Sequence, residues 1–463
     1  MEKTGNLSPF DEGRRNFLRA ALGITVVGAA AAATPFCIDL LRFRKLLNKF
    51  ADSALSADAS AERVHNLEAL PPGFLIPEDE RGGSHLLMGE IPGYSFSDGY
   101  NLREFCNEKG DFLSKLPEGT EVRIMALELY TDDFLEIVRS TFPHLKFAIY
   151  PMPQSHGGFN YPQDVVFSSG RTDSQGRFII VGSSLDPQLY KGILAFNPGF
   201  SDIDKADEGN SYFGDEYLAE RFPLNFDIKH VPVPCIGGDM QIVRLPNGKI
   251  GAIVGVESLA RFLSICDGNF YRRISFEKYK SLVGEFKEIC KRFLGIGEVV
   301  ILDEDFMASV VAEKGRALRS EMQPHYFFHS DMAVKVMTGK DGRAVAFVSD
   351  MEDISYGRNG NMEFLRRIQE QLQRLGYVVE KVPCSSRATF NYVNSVVLSR
   401  NGRKMVYVPQ YGGYFDREAL DSYKRHGFDP VPVSLREKVE SIASDNGNME
   451  NFGGLHCSVV VLM

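Results

Sequence analysis

The sequence contains no tryptophan and no Cys-x-x-Cys pair. Its 7 cysteines, Cys37, Cys106, Cys235, Cys266, Cys290, Cys384 and Cys457, are odd in number and irregularly spaced. That pattern suggests neither a disulfide framework nor a zinc site, and it leaves at least one thiol over. Positive charge is also lacking: 52 Lys and Arg against 61 Asp and Glu leave a formal net charge of -9. No large basic patch stands out, so nucleic acid is not an expected partner. Beyond residue 38 no apolar run is long enough to span a bilayer. What remains is ordinary for a globular protein, with 44% hydrophobic and 24% charged residues. A length of 463 residues suits one large domain or two smaller ones.

The N-terminus has the character of an address. Arg14-Arg15-Asn16-Phe17-Leu18 precedes an uncharged Ala/Gly-rich run from Ala20 to Ile38. Paired arginines, Phe-Leu and a weakly apolar run resemble a twin-arginine export signal. Ala31-Ala32-Ala33 offers small residues suited to cleavage, and the bulky Pro35-Phe36 before Cys37 argues against lipid attachment there. Residues 1–33 are therefore expected to be an export signal engaging the twin-arginine translocase. The destination would be periplasmic or extracellular, with membrane contact only through an uncleaved N-terminal segment. Residues 34–116 are expected to form a linker and N-terminal extension, Ala-rich and charged at first, then punctuated by Gly and Pro. Residues 117–463 are expected to form the catalytic domain.

A repeated hairpin runs through that domain. Each copy opens on a polar residue, passes through an apolar strand, turns at a glycine followed by a basic residue, and returns as a second apolar strand. The copies open at Asp164, Asp239, Asp331 and Asn394, with turns at Gln175-Gly176-Arg177, Asn247-Gly248-Lys249, Asp341-Gly342-Arg343 and Asn401-Gly402-Arg403. A fifth apolar strand opens at Cys457. Asn-Gly and Asp-Gly are strong hairpin signals, and two positive φ angles are expected at such turns. Helical patterns over Phe276–Leu294, Met362–Leu375 and Arg417–His426 are followed by short strands at Val299–Leu302, Tyr377–Val382 and Pro430–Val433. Five β-hairpin–helix–strand units predict an α/β fold closed into a five-bladed propeller with pseudo-fivefold repeats. Its axis would gather Asp164, Asp239, Asp331, Asn394 and Cys457. Taken singly, each Asp or Asn also reads as an ordinary turn residue at the start of a strand.

Three elements carry chemistry. Cys457 ends Gly453-Gly454-Leu455-His456-Cys457, where two glycines allow backbone to approach a ligand closely. Taken alone it reads as a buried structural cysteine as readily as a nucleophile. His329-Ser330-Asp331 puts an acid/base and a carboxylate at i and i+2, on one face if the segment is extended. Asp164 would add a second carboxylate at the axis. Two carboxylates, a histidine and a thiol form a coherent set for attack on a planar cationic guanidinium.

These residues resemble the agmatine deiminase branch of the guanidino-group-modifying superfamily, which also holds arginine deiminases, peptidyl-arginine deiminases and amidinotransferases. The resemblance rests on Tyr161-Pro162-Gln163-Asp164, Gly237-Gly238-Asp239, His329-Ser330-Asp331, Val408-Pro409-Gln410-Tyr411-Gly412 with Asp416 and Ala419, and Gly453-Gly454-Leu455-His456-Cys457. It spans roughly residues 121–463. It implies a five-bladed α/β propeller and hydrolysis of a small cationic guanidino substrate to a ureido product, without metal or organic cofactor. By the same resemblance, Cys457, His329, Asp331 and Asp164 are catalytic, and Asp164, Asp331, Asp239, Asn394, Gly453 and Gly454 bind substrate. The chain departs from the family pattern at Ile236, where a glutamate usually precedes the Gly-Gly pair, and at Gln163 and Tyr161, where arginine and tryptophan are usual. An amidinotransferase sharing the covalent intermediate, an inactive exported binder of cationic guanidines and, fitting less well, a cysteine peptidase are the competing readings.

Overall fold

A computed structural model describes residues 69–89, 102–127, 131–152, 166–183, 214–233, 237–267, 273–316, 329–351, 359–384, 390–435, 455–456 and 459–463. Among the described residues the strands fall into five sheets. The first unites both ends of the fold: β1 (His85–Gly89), β2 (Glu121–Leu127) and β3 (Lys146–Met152) pair with β16 (Val459–Val461) in the order β16-β1-β2-β3. The other four are three-stranded and consecutive: β4 (Phe167–Thr172), β5 (Phe178–Ser183) and β6 (Phe226–Val231); β7 (Met240–Arg244), β8 (Ile250–Val254) and β9 (Glu298–Ile301); β10 (Val334–Thr338), β11 (Ala344–Met351) and β12 (Val378–Cys384); β13 (Val396–Arg400), β14 (Arg403–Gln410) and β15 (Asp429–Ser434). In each of these four, an antiparallel hairpin is followed by a parallel third strand. A parallel partner needs a crossover, and helices supply it. α3 (Gly214–Arg221) precedes β6, α4 (Val256–Cys266) and α5 (Phe276–Leu294) precede β9, α8 (Asn359–Arg374) precedes β12, and α9 (Asp416–Arg425) precedes β15. α1 (Leu102–Lys115) and α2 (Thr131–Thr141) link β1 to β2 and β2 to β3, α6 (Glu304–Lys314) follows β9, and the one-turn α7 (Ser330–Ala333) leads into β10. This is the five-bladed α/β propeller expected from the repeats.

The fifth blade is composite. β16 pairs antiparallel with β1, Leu87 facing Val460, so strands from opposite ends of the chain close one sheet. Residues 69–116, read from sequence as extension, thus contribute a strand and a helix to the ring.

The local rules are plain in α5. Ser275 caps its start by accepting from the Lys278 amide at 3.3 Å, and Gly295 ends it in the left-handed region at φ 62. Tyr279, Leu282, Val283, Phe286, Ile289, Cys290, Phe293 and Leu294 are its buried face, at the three-four spacing of an amphipathic helix. The β10–β11 hairpin is instead buried along nearly its whole length, because both faces are covered.

The hairpin turns differ from the expectation of paired positive φ. Only the Asn401-Gly402 turn has both residues there, at φ 52 and 75, with Arg400 facing Arg403 across a two-residue loop. At Asn247-Gly248 and Asp341-Gly342 the glycine alone is left-handed. There the amide of Leu245 reaches Lys249 O and that of Gly339 reaches Arg343 O, which makes three-residue loops. The Asn247 and Asp341 side chains accept from the amides of Lys249 and Arg343 at 3.0 and 3.1 Å, the reason a polar residue precedes each glycine.

One short segment binds all five blades. Ile76 donates its amide to Ser169 O at 3.0 Å, and Arg81 donates to Ser168 O at 2.9 Å and to Val461 O at 2.8 Å. Glu80 accepts both Nε and Nη2 of Arg244, at 2.6 and 2.8 Å. Asp79 accepts the Thr338 amide and Lys404 Nζ, each at 2.7 Å. Glu78 accepts Lys335 Nζ at 3.0 Å and meets His456 Nε2 at 2.8 Å. Four consecutive charged residues therefore plug the ring, each turned to a different set of strands.

Candidate functional site

The residues that head the hairpins are joined to one another. Asp239 is fully buried; its Oδ2 accepts the Ser258 amide at 2.6 Å and its Oδ1 the Ser330 amide at 3.2 Å. Asn394, also fully buried, accepts the His456 amide on Oδ1 at 2.9 Å and donates from Nδ2 to Asp331 Oδ2 at 3.0 Å. The Asp331 amide donates to Gly238 O at 3.0 Å. A pattern repeats: the side chain heading one hairpin accepts the amide of the residue just before the next head. Ser330 precedes Asp331, and His456 precedes position 457. This bond joins the second blade to the third and the fourth to the fifth, and between the third and fourth the Asn394 side chain instead donates to the Asp331 carboxylate.

The pattern also explains which residue stands where. Asp239 faces backbone N–H donors, so a carboxylate serves. Asn394 must accept from His456 and donate to a carboxylate, which an amide does with its two ends and an ionised carboxylate cannot.

Beside this seam lies a buried ionisable group. His456, 1% exposed, presents Nδ1 to Asp331 Oδ2 and Nε2 to Glu78 Oε2, both at 2.8 Å. Burial opposes the imidazolium, but the Glu78 charge and the hydrogen bonds to Asp331 and Glu78 outweigh it, and the pKa of His456 is raised. Burial likewise works against the Glu78 carboxylate, yet His456 and Lys335 hold it well below the usual range. Asp239 behaves oppositely: burial lifts its carboxyl to about 7, against the pull of His329 and the Ser258 amide. His329, 6% exposed, is the extended residue before α7. Among the described residues no cluster of His, Cys, Asp or Glu is arranged to hold a metal ion.

The predicted site residues thus divide. Asp239, His329, Asp331 and Asn394 come together where the hairpins begin. Asp164, Cys457, Gly453 and Gly454 lie outside the described residues, as do Tyr161, Gln163, Ile236 and residues 1–68. Asp416, from the fourth sequence motif, ties a loop: its carboxylate accepts the amides of Tyr411 at 3.1 Å and Gly412 at 2.9 Å and the Tyr392 hydroxyl at 2.7 Å. Asn391 carries that order inward, donating to Met332 O at 2.6 Å and accepting the Asn394 amide at 3.2 Å. His456 lies in the terminal motif with no role legible from the sequence, and Glu78 and Lys335 lie in none of the family motifs. The run Glu78-Asp79-Glu80-Arg81 was the available signal, four charges in succession in a segment with neither helical nor strand periodicity.

No protein-family profile matches the sequence, and no curated protein does. Solved structures do. C. jejuni agmatine deiminase superposes with a TM-score of 0.52 at 15% identity, over 83% of this chain and 94% of that one. A cysteine-to-serine variant of that enzyme with substrate bound gives 0.51 at 15% identity, over 85% and 98%. At such identity the likeness is one of fold: the chain has the five-bladed architecture of an agmatine deiminase over most of its length.

Proposed function

We propose that this protein is an exported thiol hydrolase that deiminates a small guanidino compound to its ureido product. The observation that supports the reading best is the gathering of His329, Asp331 and Asn394 at the heads of adjacent blades, with His456 bringing the segment before Cys457 to the same place. In this reading Asp164 and Asp331 hold the guanidinium nitrogens. The Cys457 thiolate attacks the central carbon to give a tetrahedral adduct. His329 protonates the departing nitrogen, ammonia leaves, and a thiouronium remains on sulfur. His329 then takes a proton from water, whose oxygen attacks the same carbon and displaces the thiolate as the ureido product forms. Asp239 and Asn394 act from within the interior seam, keeping His329 and Asp331 in register.

The test is a screen of agmatine, free arginine and peptidyl arginine for ureido product, using protein that lacks residues 1–33. Turnover of one of them is expected, and Cys457→Ser should lower it on the scale of ~10⁶-fold while guanidine binding persists. Wild-type turnover in that variant would remove the thiol from the mechanism. Asp331→Asn should weaken binding as well as rate, since a charge-assisted pair worth about 1.5–3 kcal/mol is lost. Export through the twin-arginine route belongs to the same proposal. Arg14-Arg15 replaced by Lys-Lys should leave the protein in the cytoplasm, and normal periplasmic recovery would sink that part.

A further inference from the structure

We propose that Glu78 is a positioning residue: from the N-terminal plug it clamps His456 as an imidazolium across the ring axis, and through His456 it fixes the carboxylate of Asp331. Its bearing on turnover rests on the function proposed above; the clamp itself does not.

The geometry carries the argument. His456 meets a carboxylate oxygen at each ring nitrogen, Asp331 at Nδ1 and Glu78 at Nε2, both at 2.8 Å. A neutral imidazole has one N–H, so one carboxylate would face a lone pair; only the cation donates to both. The ring is 1% exposed, so water cannot replace either partner. The charged groups around it come from three elements. Glu78 and Arg81 lie on the plug, Asp331 on α7, and Lys335, itself 2% exposed, on β10. Lys335 Nζ donates at 3.0 Å to the same Glu78 Oε2 that meets His456 Nε2, and so fixes where that carboxylate points. Asp331 Oδ2 is then held twice, by Asn394 from the fourth blade and by His456 from the fifth. Neither holder belongs to the segment that carries Asp331. The direction of the His456 titration agrees, with Glu78 raising it and Lys335 lowering it.

Closing the ring does not require this bond. Arg81, Asp79 and Glu80 already tie the plug to all the blades. Glu78 is the plug residue that reaches His456.

The experiment follows the His456 ring nitrogens by NMR in the full-length chain, labelled with 15N-histidine, across pH. In the wild type both nitrogens should stay protonated above pH 6.5. Glu78→Gln keeps the shape and removes the charge, and it should lower the midpoint by about one unit, a tenfold weaker hold on the proton. Lys335→Met should move the midpoint upward, so the pair gives opposite signs and either variant suffices if the other does not fold. Glu80→Gln, in the same plug but bound to Arg244, should leave it unchanged. A Glu78→Gln or Lys335→Met midpoint equal to wild type, or one that Glu80→Gln moves as far, overturns the proposal. For turnover of a guanidino substrate, Glu78→Gln should cut kcat/KM about tenfold through both a lower kcat and a higher KM, as expected when the residue positioned, Asp331, serves binding and rate alike. If the wild type forms no ureido product, the proposed function fails, and the titration still decides the clamp.

Discussion

At the residue scale, the choice between Asp and Asn at the heads of the blades is decided by what faces them. Asp239 meets N–H donors and Asn394 meets one donor and one carboxylate. Asn394→Ala should therefore cost about 1–3 kcal/mol, the penalty for leaving buried polar partners unpaired. Asn394→Asp should cost more, because it brings a second carboxylate against Asp331 in the interior. Urea denaturation of the two variants checks the order, and an Asn394→Asp protein as stable as wild type would contradict the seam. Cys384 shows the opposite kind of residue. It is 3% exposed, and burial pushes its thiol up to about 12, so it should resist alkylation. A haloacetamidine should label Cys457 and spare Cys384, and mass spectrometry of the peptides reads this directly. Equal labelling of both would refute the distinction.

At the element scale, the junction of β8 and α4 is built around one close approach. Gly255 donates its amide to Asp239 O at 2.8 Å, and a Cβ there would collide with the Asp239 carboxylate. Its φ of -81 is open to any residue, so the glycine answers to space and not to backbone strain. Gly255→Ala should destabilise by about 1–3 kcal/mol, the usual cost of overpacking, and should displace Asp239 from Ser258 and Ser330. A thermal midpoint unchanged from wild type would show that the site gives way freely. The hairpins show how far local chemistry reaches. The turn glycines were legible, and so were α5, to the residue, and α8 and α9 to within a few. α4 was not, because Val256–Cys266 follows its strand after a single residue and its apolar content merges with that strand.

At the scale of the whole molecule, buried charges should write themselves into stability against pH. Glu78 is held below its ordinary range, so its contribution is present above pH 4.5 and lost as pH falls through its folded value. His456 is raised, so its contribution is full below pH 6.5 and lost as pH rises through its folded value. Asp239, raised from 3.8 to about 7, gives stability that declines across that interval. The urea midpoint of the wild type should thus fall on the alkaline side of pH 6.5, and His456→Gln should flatten that limb while keeping the decline due to Asp239. An identical alkaline slope in wild type and variant would mean that His456 is not held as a cation.

The sequence by itself determined the number of blades, the hairpin order and the hairpin-heading residues, because each is a local pattern repeated along the chain: an opening polar residue, alternating strands and a turn glycine. It also supplied the resemblance from which a function is proposed. Only the tertiary structure decided what those heads do to one another, since the bonds from Asn394 to Asp331 and from Asn394 to His456 join residues more than sixty positions apart. It alone showed that β1 closes the blade begun by β16, and that Glu78-Asp79-Glu80-Arg81 plugs the ring. No periodicity marks such a plug: its residues are each held by a different set of strands, and the long-range geometry that pairs them exists only once the ring has closed.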